Sequence, residues 1–385
     1  MDFVDECYAD KDLSLLKKLT LVIPTYNRNY YLSRCLWYHA HFPFGQIIVA
    51  DSSPEEKKVV NRDTVSKVRK MFGANILYLE YGPETEKYGG DISRKWGDAV
   101  MHVETEYSIV CTDKEFLIPT TLISCIDFLN VNNDYALVDD VYYLLVNDEK
   151  TEYGIQYFYP SKKYSIDSDN PLLRLQIFRE NVDDTYNVLS LRRASNHKYL
   201  YQKLAEYNID DLRFSELSIE LLSILNSKYK YLNRTPFKLR DITELQKSGN
   251  KGESSATRYP TLEVYKKEGI YDLYMERSVS CFVNELNHHM NICGMTGKDI
   301  SNKVRDSFIT FQHKRHFFRS KFYFIYMALP LRIRNIVRFI LVFMGFVRPI
   351  EKNLDSGAIP DEFVLICRLI SESRYLHKLD QALEI

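Results

Sequence analysis

The stretch LTLVIPTYNRNYYLSRCLWYHAHFPFGQIIVADSSP, residues 19–54, sets the pattern of the N-terminal half of the chain. Two short apolar runs, at 19–23 and 47–50, end in polar residues, and residues 31–42 between them carry apolar side chains at helical spacing. The alternation continues with apolar runs at 76–79 and 107–111 and amphipathic segments at 55–72 and 91–103. Strands that alternate with helices at this spacing need crossover connections. We therefore predict an α/β fold with a mostly parallel, Rossmann-like sheet covered by helices on both faces.

The overall composition is that of an ordinary globular protein. Of 385 residues, 45% are hydrophobic and 27% are charged, which excludes a disordered chain. The net charge of -1 gives no general attraction to nucleic acid, so we expect no nucleic-acid partner. Seven cysteines without a C-x-x-C pair, and a first segment without an apolar signal region, predict a cytoplasmic protein.

Beyond residue 139 the pattern changes. Residues 140–159 predict a hairpin with its turn at 147–150, and residues 215–225 predict a helix with Ser215 as a possible N-cap. The segment 241–259 is polar and rich in Gly and Ser. We therefore expect an N-terminal extension at 1–16, an α/β domain at 17–240, a flexible loop or linker at 241–259 and a mainly helical region at 260–385.

Candidate binding residues follow the strands of the predicted sheet. Ligands of open α/β sheets bind at the carboxyl ends of the strands, which here are followed by residues 24–28, Asp51 and residues 112–116. The sequence has neither G-x-G-x-x-G nor G-x-x-x-x-G-K-[ST], so a nucleotide at this edge would need carboxylates and a metal ion instead of a glycine-rich phosphate loop. The plainer alternatives are that a D-x-E sequence is ordinary turn chemistry and that Asp51 caps the following helix.

These same residues resemble a known family. Residues 19–54 are similar to the opening of the family-two inverting glycosyltransferases of GT-A fold, in which one strand ends in P-T-x-N-R and the next in Asp. Residues 92–96, ISRKW, occupy the place of that family's Arg/Asn-rich helix start, and CTDKEFLIPTTL, residues 111–122, is similar to its D-x-D turn. The resemblance covers about residues 17–240. A Q-x-x-R-W motif is not met at Gln176, which favours a non-processive enzyme of the bacterial glycan-assembly type.

The resemblance implies a donor site and a metal site. Thr25, Asn27 and Asp51 would hold the base and ribose, while Arg94 or Lys95 would lie near the diphosphate. The donor-binding positions implied in full are Pro24, Thr25, Tyr26, Asn27, Arg28, Asp51, Arg94, Lys95 and Asp113. Asp113 and Glu115 would hold Mn²⁺ or Mg²⁺, although Glu115 is longer than the usual Asp and Lys114 between them is a possible replacement for part of the metal's charge.

The family's catalytic base is a carboxylate at the start of a helix downstream of that turn. The segment FSELSIELL offers Glu216, with Asp211 as its competitor and Asp183 and Asp184 in third place. The plainer interpretation is that Glu216 and Glu220 form only the polar edge of a helix.

A basic and aromatic segment lies near the C-terminus. Residues 307–349 contain eight Lys and Arg and no Asp or Glu, interleaved with large apolar side chains. Their longest uncharged stretches are too short to cross a bilayer, which takes about 20 residues. We therefore expect peripheral association with the inner face of the cell membrane. The alternative is a buried helical hairpin whose arginines pair with acids elsewhere.

Together these features predict a transferase that moves a sugar from a nucleoside-diphosphate donor to a glycan or lipid-linked acceptor, with inversion. One alternative is a catalytically inactive, membrane-associated binding subunit. A sugar nucleotidyltransferase is less favoured, because those enzymes carry a Gly-rich, Arg-containing first loop where this chain has PTYNRNYY.

Overall fold

The computed structural model describes residues 8, 11–86, 92–148, 151–157, 165–181, 187–241 and 262–289. The N-terminal half of the sheet is built from β1 (Leu19–Thr25), β2 (Gln46–Asp51), β3 (Ile76–Glu80) and β4 (Tyr107–Val110). The remaining strands are β5 (Glu115–Leu117), β6 (Tyr135–Asp148), β7 (Thr151–Tyr157), β8 (Leu191–Arg193) and β9 (Lys228–Asp241).

The nine strands of the described residues form one sheet in the order β3-β2-β1-β4-β8-β6-β9-β5, with β7 paired to β6. The pairs β1–β2, β2–β3 and β1–β4 are parallel. Strand β8 runs against both β4 and β6, and β6 is parallel to β9. Strands β5 and β7 are antiparallel to their partners. The sheet is therefore mostly parallel, as predicted, with three reversed strands.

The helices of the α/β domain follow or separate these strands. They are α1 (Asn29–His39), α2 (Glu55–Phe72), α3 (Ile92–Met101), α4 (Pro119–Val131), α5 (Pro171–Asn181), α6 (Ala194–Glu206) and α7 (Leu212–Asn226). Two more helices follow β9, α8 (Leu262–Lys267) and α9 (Ile270–His289), in agreement with the helical character expected after residue 260.

Successive side chains of a strand point to opposite faces of the sheet, and here helices pack on both faces. In β1, Leu21 and Ile23 pack in the core that contains α1, α2 and α4, whereas Val22 packs in the core that contains α3, α6, α7 and α9. In β2, Val49 and Ala50 divide between the two cores in the same way. Strands with both faces buried read as continuous apolar runs, which explains why these runs were recognisable in the sequence.

The parallel strands bring their polar ends to one edge. In the register of the sheet, Thr25 at the end of β1 lies beside Asp51 at the end of β2, and Asp51 lies beside Glu80 at the end of β3. The turn after β4 carries Asp113 to the same edge, because β4 is parallel to β1. The edge predicted to bind a ligand is therefore assembled from four consecutive parallel strands.

Several predicted boundaries shift. Strand β6 begins at Tyr135, before the predicted hairpin at 140–159, and the short strands β5 and β8 and the long strand β9 were not anticipated. Helix α7 begins at Leu212 and not at residue 215. Within the expected extension 1–16, Leu16 is buried in the core and Tyr8 packs edge-on against Phe42, so these residues belong to the packed domain.

Two segments predicted from the sequence are not among the described residues. The linker expected at 241–259, apart from Asp241, and the basic segment 307–349 lie outside the described residues. Among the helices that the structure describes, none combines the length and the apolarity needed to cross a membrane.

Candidate functional site at the carboxyl edge of the sheet

A sharp turn after β1 creates the first part of the site. Asn27 adopts a left-handed backbone conformation with φ of 54°, which Asn tolerates better than most residues. Its N–H donates to Ser53 Oγ at 2.8 Å, so the turn is tied to the residues that follow β2. The chain then enters α1 at Asn29, which leaves Arg28 between the turn and the helix.

Arg28 and Thr25 converge on Asp113, the buried carboxylate after β4. Thr25 Oγ1 donates to Asp113 Oδ2 at 2.8 Å, and Arg28 Nη1 donates to Asp113 Oδ1 at 3.2 Å. Burial raises the pKa of Asp113, and the charge of Arg28 and the Thr25 hydrogen bond oppose that rise. The structure thus brings together two residues from the end of β1 and the turn that follows it, and one from the turn after β4.

The other two residues of the D-K-E turn are directed differently. Glu115 is fully buried in β5, and its Oε2 accepts the N–H of Thr112 at 2.9 Å, which closes the turn. The Lys114 ammonium lies 4.4 Å from the centre of the Tyr31 ring, a cation–π contact. Arg28 bonds the Asp113 carboxylate, whereas Lys114 lies over an aromatic ring.

The donor chemistry at Asp113 suits a hard divalent cation, since such ions prefer carboxylate oxygens. Both oxygens of Asp113 already accept hydrogen bonds, and Glu115 Oε2 is engaged with its own turn. Asp113 has the oxygen atoms for the predicted ligand role but would have to exchange a hydrogen bond from Thr25 or Arg28 for the metal, and Glu115 would have to give up the hydrogen bond that closes the turn before Oε2 binds one.

Asp51 is embedded in the protein. Its Oδ1 accepts the N–H of Ser53 at 2.7 Å, and its Oδ2 accepts from Asn61 Nδ2 at 2.7 Å and from the Tyr78 hydroxyl at 2.6 Å. The residue has no solvent exposure. Asp51 thus links β2 to α2 and β3. The alternative that it caps α2 is wrong, because that helix starts after Pro54 without a side-chain cap.

The two predicted diphosphate residues of α3 differ sharply in environment. Lys95 is buried, forms an ion pair with Glu86, and donates to Ser52 Oγ at 2.8 Å. Burial lowers the pKa of Lys95, against the charge of Glu86 and the weaker influence of Asp51 and Asp113. Lys95 therefore lies beneath the carboxyl edge as a buried cation.

Arg94 points away from this cluster. Its guanidinium is about half exposed and lies 3.9 Å from Asp210, in the connection between α6 and α7. Asp210 also accepts from the Tyr274 hydroxyl at 2.5 Å. Of the two residues, Lys95 is the one held near the end of β2.

The two candidate bases occupy different positions on α7. Asp211, not Ser215, is the N-cap: its Oδ1 accepts the N–H groups of Arg213 at 2.9 Å and Phe214 at 3.2 Å, and its Oδ2 accepts from the Tyr265 hydroxyl at 2.5 Å. An N-cap carboxylate satisfies backbone N–H groups that lack partners within the helix. Asp211 is thereby committed to holding α7 and α8 together.

Glu216 is the fifth residue of α7 and is half-buried. The preceding residue, Ser215, is hydrogen-bonded through its hydroxyl to Ser93 in the first turn of α3. Because α3 follows the parallel strand β3, its start lies toward the carboxyl edge of the sheet. Ser215 therefore ties α7 to a helix start on the side of the site, and Glu216 is the next residue along α7. Asp183 and Asp184 lie outside the described residues.

The sequence analysis missed several residues that shape the site. Ser52 donates to Glu86 Oε1 at 2.6 Å, and Asn61 and Tyr78 hold Asp51. The position of Ser52 directly after Asp51 was a usable signal. Glu86 gave none, because it lies in the polar sequence PETEKY, outside the recognised motifs.

Cys35, His39 and Cys111 form a further buried cluster, with their ligand atoms within 4.8 Å of one another. His39 Nδ1 lies 2.8 Å from the Cys35 carbonyl and therefore donates to it, while Nε2 accepts the N–H of Leu117 at 3.2 Å. Burial raises the pKa of Cys111 well above its ordinary value. With both imidazole nitrogens bonded to the backbone and a protonated thiol, the cluster is suited to packing and not to metal binding.

Comparison with known proteins gives structural relatives only. No protein-family model and no curated protein matches the chain. The structure of S. aureus TarS 1–349 in complex with UDP-GlcNAc superposes with a TM-score of 0.51 at 14% identity, covering 93% of this chain and 92% of TarS 1–349. The chain shares the fold of TarS 1–349. This confirms the fold class expected from the resemblance, and at this identity it shows the fold alone.

Two further structures overlap more loosely. TarS 1–349 with UDP gives a TM-score of 0.48 at 13% identity, over 86% of this chain and 81% of that chain. The mannosyltransferase PcManGT from Pyrobaculum calidifontis, in complex with GDP-Man and Mn²⁺, gives a TM-score of 0.39 at 11% identity, over 94% of this chain and 87% of that chain.

The structural role of Asp211 has a pH signature. Burial raises the pKa of Asp211, so over the range from about pH 4 to the folded pKa the folded chain retains a proton that the unfolded chain has lost. The stability conferred by Asp211 relative to Asn therefore falls as pH rises through this range, with a slope of at most about 1.4 kcal/mol per pH unit. Asp211→Asn keeps a good N-cap, and urea unfolding of both proteins between pH 4 and 7 measures the difference.

Asp134→Asn is the matched control. Asp134 is largely exposed, and its ion pair with Lys228 at 2.6 Å lowers its pKa, so the stability it confers should be lost as pH falls. A difference between wild type and Asp211→Asn that grows with rising pH would contradict the assignment.

Proposed function

We propose that the chain is a glycosyltransferase that moves a sugar from a nucleoside-diphosphate donor to a hydroxyl group of a glycan or lipid-linked acceptor, with inversion. The observation that carries the proposal is the convergence of Thr25 and Arg28 on the buried Asp113 at the carboxyl edge of the sheet. This arrangement lies on a fold shared with TarS 1–349, whose structure contains UDP-GlcNAc. The edge offers both a carboxylate and cations, which a charged donor requires.

The donor would lie across the ends of β1, β2 and β4. Arg28 is a partly exposed cation of this edge, and a guanidinium is suited to bonding diphosphate oxygens in pairs. Lys95 adds a buried positive charge below the same edge. Asp51 would act on the base and ribose indirectly, by fixing the chain at Ser53 and thereby the Asn27 turn.

Glu216 is the general base of this proposal. Its carboxylate would accept the proton of the acceptor hydroxyl while that oxygen forms a bond to C1 of the sugar. The bond from C1 to the phosphate oxygen breaks, and its electron pair leaves with the nucleoside diphosphate. Attack opposite the leaving group inverts the configuration at C1. Thr25 would keep Asp113 oriented through the hydrogen bond from its hydroxyl.

A divalent cation held by Asp113, with Glu115 as the second candidate ligand, would supply charge stabilisation to the leaving diphosphate.

Replacing the base tests the proposal. Glu216→Gln keeps the size and polarity of the side chain but cannot accept a proton, so we expect turnover to fall by about 10² to 10⁴ with donor affinity little changed. Release of nucleoside diphosphate in the presence of acceptor measures turnover, and nucleotide titration measures affinity. Glu206→Gln, on the exposed end of α6, is the matched control and should match wild type. If Asp211→Asn loses turnover and Glu216→Gln keeps it, the base is Asp211.

A second candidate is a subunit that binds a nucleotide sugar without transferring it. It is favoured by the observation that both oxygens of Asp113 already accept hydrogen bonds and that Glu115 Oε2 closes its own turn. Such a protein would bind the donor but release no nucleoside diphosphate, with or without a chelator.

We also propose peripheral membrane association through residues 307–349, which rests on the sequence alone. Arg332→Glu/Arg334→Glu/Arg338→Glu should reduce flotation with anionic liposomes, and raised salt should weaken the binding of wild type without abolishing it. Equal flotation of both proteins would show that these arginines do not contact lipid.

A further inference from the structure

Arg28 occupies a constrained position. The left-handed turn at Asn27 and the start of α1 at Asn29 fix its backbone, with φ of -134° and ψ of 48°. Its Nη1 lies 3.2 Å from Asp113 Oδ1, in an ion pair whose carboxylate is buried while the guanidinium remains 27% exposed. Arg28 thus closes the outward side of a carboxylate that Thr25 holds at its other oxygen.

The neighbouring cations are held by other partners. Lys114 lies over the Tyr31 ring, and Lys95 is buried in its ion pair with Glu86. Arg28 combines a bond to Asp113 with access to solvent. It is therefore placed to exchange partners when a ligand arrives.

The exchange of partners by Arg28 depends on repulsion from a bound cation and attraction to a diphosphate. A divalent cation bound at Asp113 Oδ1 would be repelled by a guanidinium on the same oxygen, and water screens such a repulsion poorly at a buried carboxylate. A diphosphate at the edge would offer the guanidinium a replacement partner with two oxygens at hydrogen-bonding geometry. Binding of nucleotide and binding of cation would then favour each other.

We propose that Arg28 is a positioning residue that couples the two binding events. In the empty site it neutralises Asp113 and opposes cation binding; when a nucleoside diphosphate binds, Arg28 transfers to the phosphates and leaves Asp113 to the cation. This inference rests on the proposed function for the identity of the nucleotide. Coupling between sites is reciprocal, so the cation raises nucleotide affinity by the same factor.

Mn²⁺ binding by the full chain tests the coupling without any activity measurement. Electron paramagnetic resonance of free Mn²⁺ gives the affinity with and without UDP, and with and without GDP, after correction for the Mn²⁺–nucleotide complexes in solution. For wild type we expect nucleotide to raise Mn²⁺ affinity by about 5- to 150-fold. Arg28→Met should bind Mn²⁺ alone more tightly than wild type, and nucleotide should add little.

Lys67→Met is the matched control, since it removes one positive charge from the exposed face of α2, where Lys67 pairs with Asp63. It should behave as wild type. Arg28→Lys keeps the charge but loses the planar guanidinium, and it should retain weak binding of Mn²⁺ alone while losing most of the coupling. This second variant keeps the test decisive if Arg28→Met does not fold.

The outcomes separate this inference from the proposed function. If wild type binds nucleotide and Arg28→Met or Arg28→Lys shows unchanged coupling, the inference is wrong and the proposed function stands. If no nucleotide binds to wild type, the proposed function fails, while tighter binding of Mn²⁺ alone to Arg28→Met still supports competition at Asp113. Unchanged or weaker binding of Mn²⁺ alone to Arg28→Met contradicts the inference.

Discussion

The carboxyl edge of the sheet depends on the hydrogen bond from Thr25 to the buried carboxylate of Asp113. It joins the end of β1 to the turn after β4, two strands that are neighbours in the sheet but lie far apart in sequence. A carboxylate out of contact with water is costly unless donors surround it, and here a hydroxyl and a guanidinium serve as those donors. The Arg28 ion pair and the proposed diphosphate site depend on this buried carboxylate.

A second set of buried charged residues lies next to the same edge and is held by hydrogen bonds and an ion pair. Asp51 accepts three hydrogen bonds, one each from Tyr78 in β3, Asn61 in α2 and the backbone of Ser53. Lys95 and Glu86 form a buried ion pair around Ser52. Removing one partner of such a pair leaves an uncompensated charge, so these residues are constrained together. Through Ser53, Asp51 also holds the turn at Asn27 that precedes the partly exposed Arg28.

The sequence predicted the first four strands and the helices among them because both faces of the sheet are buried, which makes the strands continuous apolar runs. It also located Thr25, Arg28 and Asp113 correctly at one edge. It could not show that Asp51 is saturated by Asn61 and Tyr78, since hydrogen bonds between distant elements leave no periodic signal. Asp211 was an ambiguous carboxylate in the sequence, and only the backbone of α7 shows it to be a cap. Strand β9 was missed because its sequence, KYKYLNRTPFKLRD, alternates weakly and contains Pro236.

The most direct test of the proposed donor site is thermal unfolding of wild type and Asp113→Asn with a panel of nucleoside diphosphates, with and without Mn²⁺. A ligand present at about one hundred times its dissociation constant adds about 2.7 kcal/mol to stability. We predict that one nucleoside diphosphate raises the unfolding temperature of wild type and that Mn²⁺ enlarges the shift. Asp113→Asn should remain folded but lose the Mn²⁺-dependent part of the shift. Wild-type protein whose unfolding temperature is unchanged by every nucleoside diphosphate, with or without Mn²⁺, would contradict the proposed donor site.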